Sequence, residues 1–150
     1  MILKRYRRSV LCQPEEQQIA QRLCGIVPEL ETVRLEYCFY VGVTAPLNPE
    51  QSIVLDWLLA ETFEPRSYDH QSALTGTVSE VGPRVEIVTP WSTNATKICH
   101  ACGLDSVKRI ERSRRYQIVL KPGAKLSSEQ LRQVYPLLYD RMTEAPYFEP

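Results

Sequence analysis

Apolar and polar residues alternate most regularly between positions 33 and 43. There Val33, Leu35, Tyr37, Phe39, Val41 and Val43 interleave with Arg34, Glu36, Cys38, Tyr40 and Gly42. A period of two over that length predicts a long, half-buried strand. A second long strand is expected from Val107 to about Leu120, stopped by Pro122 and Gly123. Shorter strands are expected over Ile2 to Ser9 and over Val85 to Thr89, where Pro90 removes a ladder donor. Positions 61 to 82 are polar and irregular, with room for a short edge strand.

A period near 3.6 marks four helices between these strands. The first opens at Pro14 with Glu15 and Glu16 in its first turn, and its core face is Ile19, Ala20, Leu23 and Cys24. The second has Asn48 as cap, Pro49 at its first position and Gln51 completing a capping box, with Val54, Trp57 and Leu58 inward. The third is expected to be capped by Ser92, to bury Ala95, Ile98, Cys99 and Cys102, and to stop at Gly103. The fourth is capped by Ser127, with Gln130 three residues on and an inward stripe of Leu131, Val134, Leu138 and Met142.

Lining up these elements exposes an internal repeat with an offset of 79 residues. It pairs Asn48 with Ser127, Gln51 with Gln130, Ile19 with Ile98, and Tyr37 with Tyr116. The chain therefore reads as a single domain over 1–145, built from repeats at about 1–66 and 80–145 joined by an irregular connection, with 146–150 starting a linker. The fold class is α+β: a tandem duplicated strand-helix-strand-helix unit whose ferredoxin-like halves place antiparallel sheets under helices. Each half is too small to bury its helices alone, so the two are expected to share a core across a pseudo-twofold axis. If the long strands pair about that axis, Glu36 and Arg115, which the offset superposes, should form an internal ion pair.

Composition narrows the function classes. Eighteen basic against eighteen acidic residues cancel, so the overall basicity that drives phosphate-backbone binding is missing and nucleic acid is not an expected partner. No run approaches the roughly 20 apolar residues that span a bilayer, and residues 1–18 have no apolar signal core, so neither membrane nor secretion is expected. Five cysteines, an odd number, fit free thiols in a cytoplasmic setting better than a disulfide framework.

Three blocks carry a family resemblance: VGPRVEIVTPWSTNA from Val81, CGLDSVKRIERSRRY from Cys102, and DRMTE from Asp140. In this order they resemble the N-terminal region of the large phosphoribosylformylglycinamidine synthases, the ATP- and glutamine-dependent amidotransferases of purine synthesis. The resemblance implies a PurS-like domain, similar to a dimer of the small PurS subunit fused into one chain. It also implies that ATP, Mg and the glutaminase cysteine belong to other domains, with no cofactor and no metal bound here. The synthetase and glutaminase domains of the same enzyme are then the partners, and an assembly role is expected rather than catalysis by this chain. Surface that such partners would cover is the expected site of any self-association. The alternative is a free-standing ferredoxin-like module that binds a small molecule.

The residues that could carry chemistry are few. Cys99 and Cys102 have CxxC spacing, yet no second ligand pair exists and Cys99 lies well inside its helix, so both are expected as core thiols. The turn Trp91, Ser92, Thr93 and Asn94 leads from a strand into a helix and leaves backbone N–H groups there. Either Ser92 satisfies them while Trp91 packs on the core, or the turn takes an anion or meets a partner. Arg109, Arg112, Arg114 and Arg115 form a basic strand whose mates in the first repeat are partly apolar. These arginines are either internally paired at a strand end or reach a carboxylate or phosphate. No Ser/His/Asp, Cys/His, paired-carboxylate or glycine-rich phosphate motif is present.

Overall fold

The long strands expected at 33–43 and 107–120 form and pair with each other over their whole length. In the computed structural model, which describes residues 2–7, 13–60, 68–72, 74, 78–84, 86–140 and 142–147, β2 covers Leu30–Val43 and β5 covers Val107–Leu120. They are antiparallel, in a register running from Val33 opposite Ile118 through Glu36 opposite Arg115 to Val41 opposite Ile110. Two shorter strands flank them: β1 (Ile2–Arg7) on β2, and β4 (Val78–Pro83) on β5. Two more close the edges, β3 (Tyr68–Asp69) on β1 and β6 (Glu144–Tyr147) on β4. The order β3-β1-β2-β5-β4-β6 is symmetric about the β2–β5 seam. All pairings are antiparallel.

The duplication therefore includes a fifth element in each half, since β3 and β6 take equivalent places. Residues 146–150 were expected to start a linker, but Pro146 and Tyr147 belong to β6. An edge strand tolerates a proline because one side of its backbone needs no ladder partner. The offset also drifts. The ends of β2 and β5 lie 77 positions apart, whereas helices α2 (Pro49–Ala60) and α4 (Ser128–Leu138) start 79 apart. The turn after β5 is two residues longer than its counterpart and contains Gly123 at φ 83°.

All four helices cover one face of the sheet. Helices α1 (Gln13–Leu23) and α4 bury Ile19, Leu23, Val134 and Leu138 against Val33, Leu35, Tyr116 and Ile118. Helices α2 and α3 (Pro90–Ala101) bury Leu55, Leu59 and Cys99 against Phe39, Val41, Val43 and Ile110. The cores thus sit side by side as pseudo-symmetric copies, with Tyr37, Arg112 and Arg114 on the strip of sheet between them. The other face is polar. It carries Glu36, Tyr40, Glu80, Ser113 and Arg115, and Ser72 from the β3–β4 connection donates to Glu36 at 2.7 Å.

Local chemistry explains the helix starts. Asn48 and Gln51 exchange side-chain to backbone hydrogen bonds (2.7 and 3.1 Å), as do Ser127 and Gln130 (3.1 and 3.0 Å), so both expected capping boxes form. Helix α3 starts earlier than expected. Its cap is Thr89, whose hydroxyl accepts from Ser92 N at 3.1 Å, and Pro90 takes the first turn. Ser92 is buried instead, and its hydroxyl donates to the Ile110 carbonyl on β5. The buried face consequently runs Trp91, Ala95, Cys99 at four-residue spacing, leaving Ile98 and Cys102 exposed. Helix α2 is turned likewise: Leu55 and Leu59 are buried, and Trp57, expected inside, is 60% exposed. Cys24, expected on the α1 core face, is exposed, and Met142 lies beyond α4 in solvent.

The strand expected over Val85 to Thr89 lies earlier, at Val78–Pro83. Ile87 and Thr89 belong to the connection into α3, and Val85 falls outside the described residues, as do Ser9 and Cys12. Alternation misses β4 because both its faces are buried, with Ser79, Glu80 and Val81 all enclosed. Gly82 is the close-approach point: a Cβ there would lie 2.9 Å from the Tyr147 ring and 3.1 Å from Ser113. The Tyr147 hydroxyl is anchored by donating to the Pro83 carbonyl. Gly82→Ala is expected to cost about 1–3 kcal/mol in urea unfolding. Truncating Tyr147 to alanine as well should remove most of that added cost. An unchanged midpoint for Gly82→Ala alone would show that β6 does not lie on β4 in this register.

Candidate functional site

A cleft of about 400 Å³ opens on the helix-covered face at the end of β4. Its walls include Tyr37 from β2, Arg112 and Arg114 from β5, Trp91 from α3, Glu15 from α1 and Glu144 from β6. Topology creates it. Residues 110–113 of β5 extend past the last β4 pairing at Val81–Arg114, so the first turn of α3 takes over through the Ser92 bond to Ile110. The first repeat uses the same device, in which a Glu16 carboxylate oxygen accepts from Leu35 N at 2.8 Å. Leu35 lies 77 residues before Arg112 and is fully buried. The guanidinium thus occupies the place of a core leucine.

The four arginines separate once placed. Arg109 donates to the Ile87 carbonyl at 2.8 Å and pairs with Glu111 at 3.2 Å, and Glu111 also accepts from the Thr89 hydroxyl at 3.0 Å. Arg114 reaches both oxygens of Glu144, at 2.6 and 2.8 Å. Arg115 points to the opposite face, where it meets Glu36 at 3.4 Å and Glu80 at 2.9 Å. The Glu36–Arg115 pair foreseen from the pseudo-axis is therefore present. Burial is the largest single influence and opposes the Arg115 charge, but hydrogen bonding to Glu80 together with the negative charges of Glu80 and Glu36 and the Tyr6 hydroxyl outweighs it and raises its pKa. Tyr40 donates to Glu80 from the other side, and its own pKa is pushed up by burial and by that bond.

Arg112 is different. Its guanidinium lies over the rings of Tyr37 and Trp91, 4.9 Å from each centroid, and no carboxylate among the described residues pairs with it. Trp91 in turn stacks on Phe39, with centroids 5.9 Å apart. Of the sequence candidates, Trp91, Arg112 and Arg114 meet at the cleft. Ser92 is a structural linker, Thr93 and Asn94 are exposed on the outer surface of α3, and Arg109 and Arg115 turn elsewhere. Tyr37, Glu15 and Glu144 were not foreseen as lining. Only the β2–β5 register reveals Tyr37, which stands opposite Arg114.

The thiols behave as packing groups or as surface groups. Cys99 lies in the second core and burial pushes its thiol up to about 11, the reverse of an activated nucleophile. Burial, and then Glu80, pushes Cys38 up to about 12. Cys102 is exposed at the end of α3, so the CxxC pair is split between core and surface, and the His100 ring is bonded to the Val107 carbonyl at 2.6 Å. His70 and Tyr68 both bond to Asp56 (3.0 and 2.6 Å), with Arg5 at 3.3 Å, which ties β3 and β1 to α2.

At pH 8 an alkylating reagent is expected to label Cys24 and Cys102 at least about a hundredfold faster than Cys38 and Cys99. Because folding holds the buried thiols neutral, their contribution to stability is complete below the ordinary thiol value of 9.0. It is lost as pH rises through about 11 for Cys99 and about 12 for Cys38. Urea midpoints measured from pH 8 to 11 should fall, and Cys99→Ala should flatten part of that fall. Equal labelling of Cys24, Cys38, Cys99 and Cys102 would contradict the packing.

Comparison with known proteins follows the same lines. The family model described as formylglycinamide ribonucleotide amidotransferase N-terminal matches residues 36–149. A phosphoribosylformylglycinamidine synthase of Dictyostelium discoideum is 41% identical over 133 residues, covering 81% of this chain and 10% of that protein. A probable phosphoribosylformylglycinamidine synthase, chloroplastic/mitochondrial, of Arabidopsis thaliana is 39% identical over 127 residues, covering 79% and 9%. The Drosophila melanogaster phosphoribosylformylglycinamidine synthase is 33% identical over 159 residues, covering 99% and 11%. The chain spans about a tenth of the length of these relatives. No helix among the described residues is long and apolar enough to cross a membrane. With most of its length inside the matched region, the doubled α+β fold in place and the relatives agreeing, the chain belongs to the family of formylglycinamide ribonucleotide amidotransferase N-terminal domains.

Proposed function

We propose that the chain acts as the N-terminal assembly domain of a phosphoribosylformylglycinamidine synthase, packing on the synthetase domain and aligning it with the glutaminase for ammonia transfer. The chemistry with ATP, Mg and glutamine would belong to those other domains. The observation that carries this reading is apolar surface on the outside of the helix layer. Ile53 and Trp57, one turn apart on α2, are 69% and 60% exposed, and Ile98 on α3 is 53% exposed. Helices α2 and α3 cover the same core, and Asn94 shares a helix face with Ile98 at four-residue spacing. Exposed large side chains grouped in this way support a partner surface.

Burying Ile53 and Trp57 would contribute about 3–5 kcal/mol to docking. The test is copurification: tagged chain 1–150 is expected to retain the remaining domains of a family synthase in a one-to-one complex. Failure to retain them at micromolar concentration would argue against the assembly reading.

A further inference from the structure

The cleft at the end of β4 leaves two of its charges uncommitted. Glu111 is engaged by Arg109 and Thr89, and Glu144 by Arg114. Arg112 and Glu15, which line the same space, have no ionic partner among the described residues. The guanidinium is held by the Tyr37 and Trp91 rings, so its alignment does not consume its N–H donors. A planar fork held in that way suits a carboxylate, which it can take through two parallel hydrogen bonds. The cleft volume of about 400 Å³ is that of a small-molecule site.

Charge decides the class of ligand. With Glu111 balanced by Arg109 and Glu144 by Arg114, the walls leave one positive charge, Arg112, beside one negative charge, Glu15, so a singly charged carboxylate matches the guanidinium while a doubly charged phosphate exceeds it and is repelled by Glu15. The unspent carboxylate of Glu15 then calls for a cationic donor on the same ligand. We propose that this cleft binds a small molecule of the α-amino-acid class, its carboxylate on Arg112 and its ammonium toward Glu15. The inference is independent of the assembly role, since the residues of the exposed α2 surface do not line the cleft.

Trp91 forms part of the wall, so its fluorescence reports occupancy, and Trp57→Phe removes the other tryptophan. In that background each standard amino acid, sodium acetate, methylammonium chloride and inorganic phosphate would be titrated in turn. At least one amino acid should give a saturable change with Kd of about 1 mM or tighter. Acetate should bind at least about tenfold more weakly and phosphate should not saturate. Arg112→Lys keeps the charge but loses the fork, and should weaken the amino acid about tenfold or more.

Glu15→Gln, at an exposed helix position, should weaken the amino acid while leaving acetate unchanged. The proposal is overturned if no amino acid saturates the signal, if phosphate binds better than carboxylates, or if acetate binds as tightly as the best amino acid. It is overturned equally if Glu15→Gln and Arg112→Lys, each shown folded by circular dichroism, both bind like the parent.

Discussion

Replacing Arg115 with glutamine is expected to lower the free energy of unfolding by about 3–5 kcal/mol, the largest effect foreseen for any single substitution on the polar face. Arg115 is the only cation that meets Glu36 and Glu80 in the described ion pairs, at 3.4 and 2.9 Å, and these carboxylates are just 1% and 7% exposed. Removing the guanidinium takes away the cation that these two enclosed carboxylates share. Ser72 and Tyr40 can donate to them but cannot neutralise them. The size of the loss reflects the cost of enclosing carboxylates with their shared cation gone, not a large net benefit of the network.

Glu36→Gln should therefore be milder, because Glu80 still balances Arg115. The double variant should be closer to Glu36→Gln plus the cost at Glu80 than to the sum of both singles. A coupling of about 1–3 kcal/mol between Glu36 and Arg115 is expected from urea unfolding of the four proteins. Zero coupling would mean that β2 and β5 do not meet in the register on which the pseudo-twofold axis depends.

The second large effect concerns assembly. Ile53→Glu combined with Trp57→Glu should leave the unfolding free energy within about 0.5 kcal/mol, as is usual for exposed positions away from caps and pairs. The same variant should weaken binding to the rest of a family synthase by about two orders of magnitude or more, the equivalent of losing about 3 kcal/mol of buried apolar contact. Calorimetric or interferometric titration against the remaining domains reads the second quantity, and urea unfolding reads the first. Undiminished affinity in a folded variant would remove α2 from the interface.

Legibility in the sequence followed burial. The long strands alternate because one face meets helices and the other is polar, so the C-terminal end of β2 and both ends of β5 were readable, as were the capping boxes at Asn48 and Ser127. The Glu36–Arg115 pair was reached through the 79-residue offset of the helices; the strands are related by 77, which puts Tyr37 opposite Arg114 at the axis and Glu36 opposite Arg115 one residue from it. Elements enclosed on both faces escaped: β4 mixes Ser79, Glu80, Val81 and Gly82 with no period. Edge strands of two and four residues are too short to show one.

Helix orientation was the other gap. In α2 nearly every residue from Ile53 to Leu59 is apolar, so a stripe is hard to define, and Leu55 and Leu59 face the core rather than Trp57 because tertiary packing selects among equivalent faces. In α3 the cap moved three residues forward, since Thr89 followed by Pro90 is a stronger start than Ser92 alone. Of the cleft, the sequence offered Trp91 and the arginines as a divergence between repeats. It could not separate Arg112 from its neighbours, because that difference depends on which carboxylates the register brings into ion-pair reach: Glu144 for Arg114, Glu36 and Glu80 for Arg115, and none among the described residues for Arg112.

Reconstitution tests the assembly role most directly. A family synthase from which the segment equivalent to this chain has been deleted would be assayed for glutamine-dependent amidination, with chain 1–150 supplied in trans. Activity is expected to return in proportion to the amount of chain bound, and not to return with the Ile53→Glu, Trp57→Glu variant. Full glutamine-dependent activity of the deleted enzyme without the chain, or binding of the chain with no recovery of activity, would contradict the assembly role.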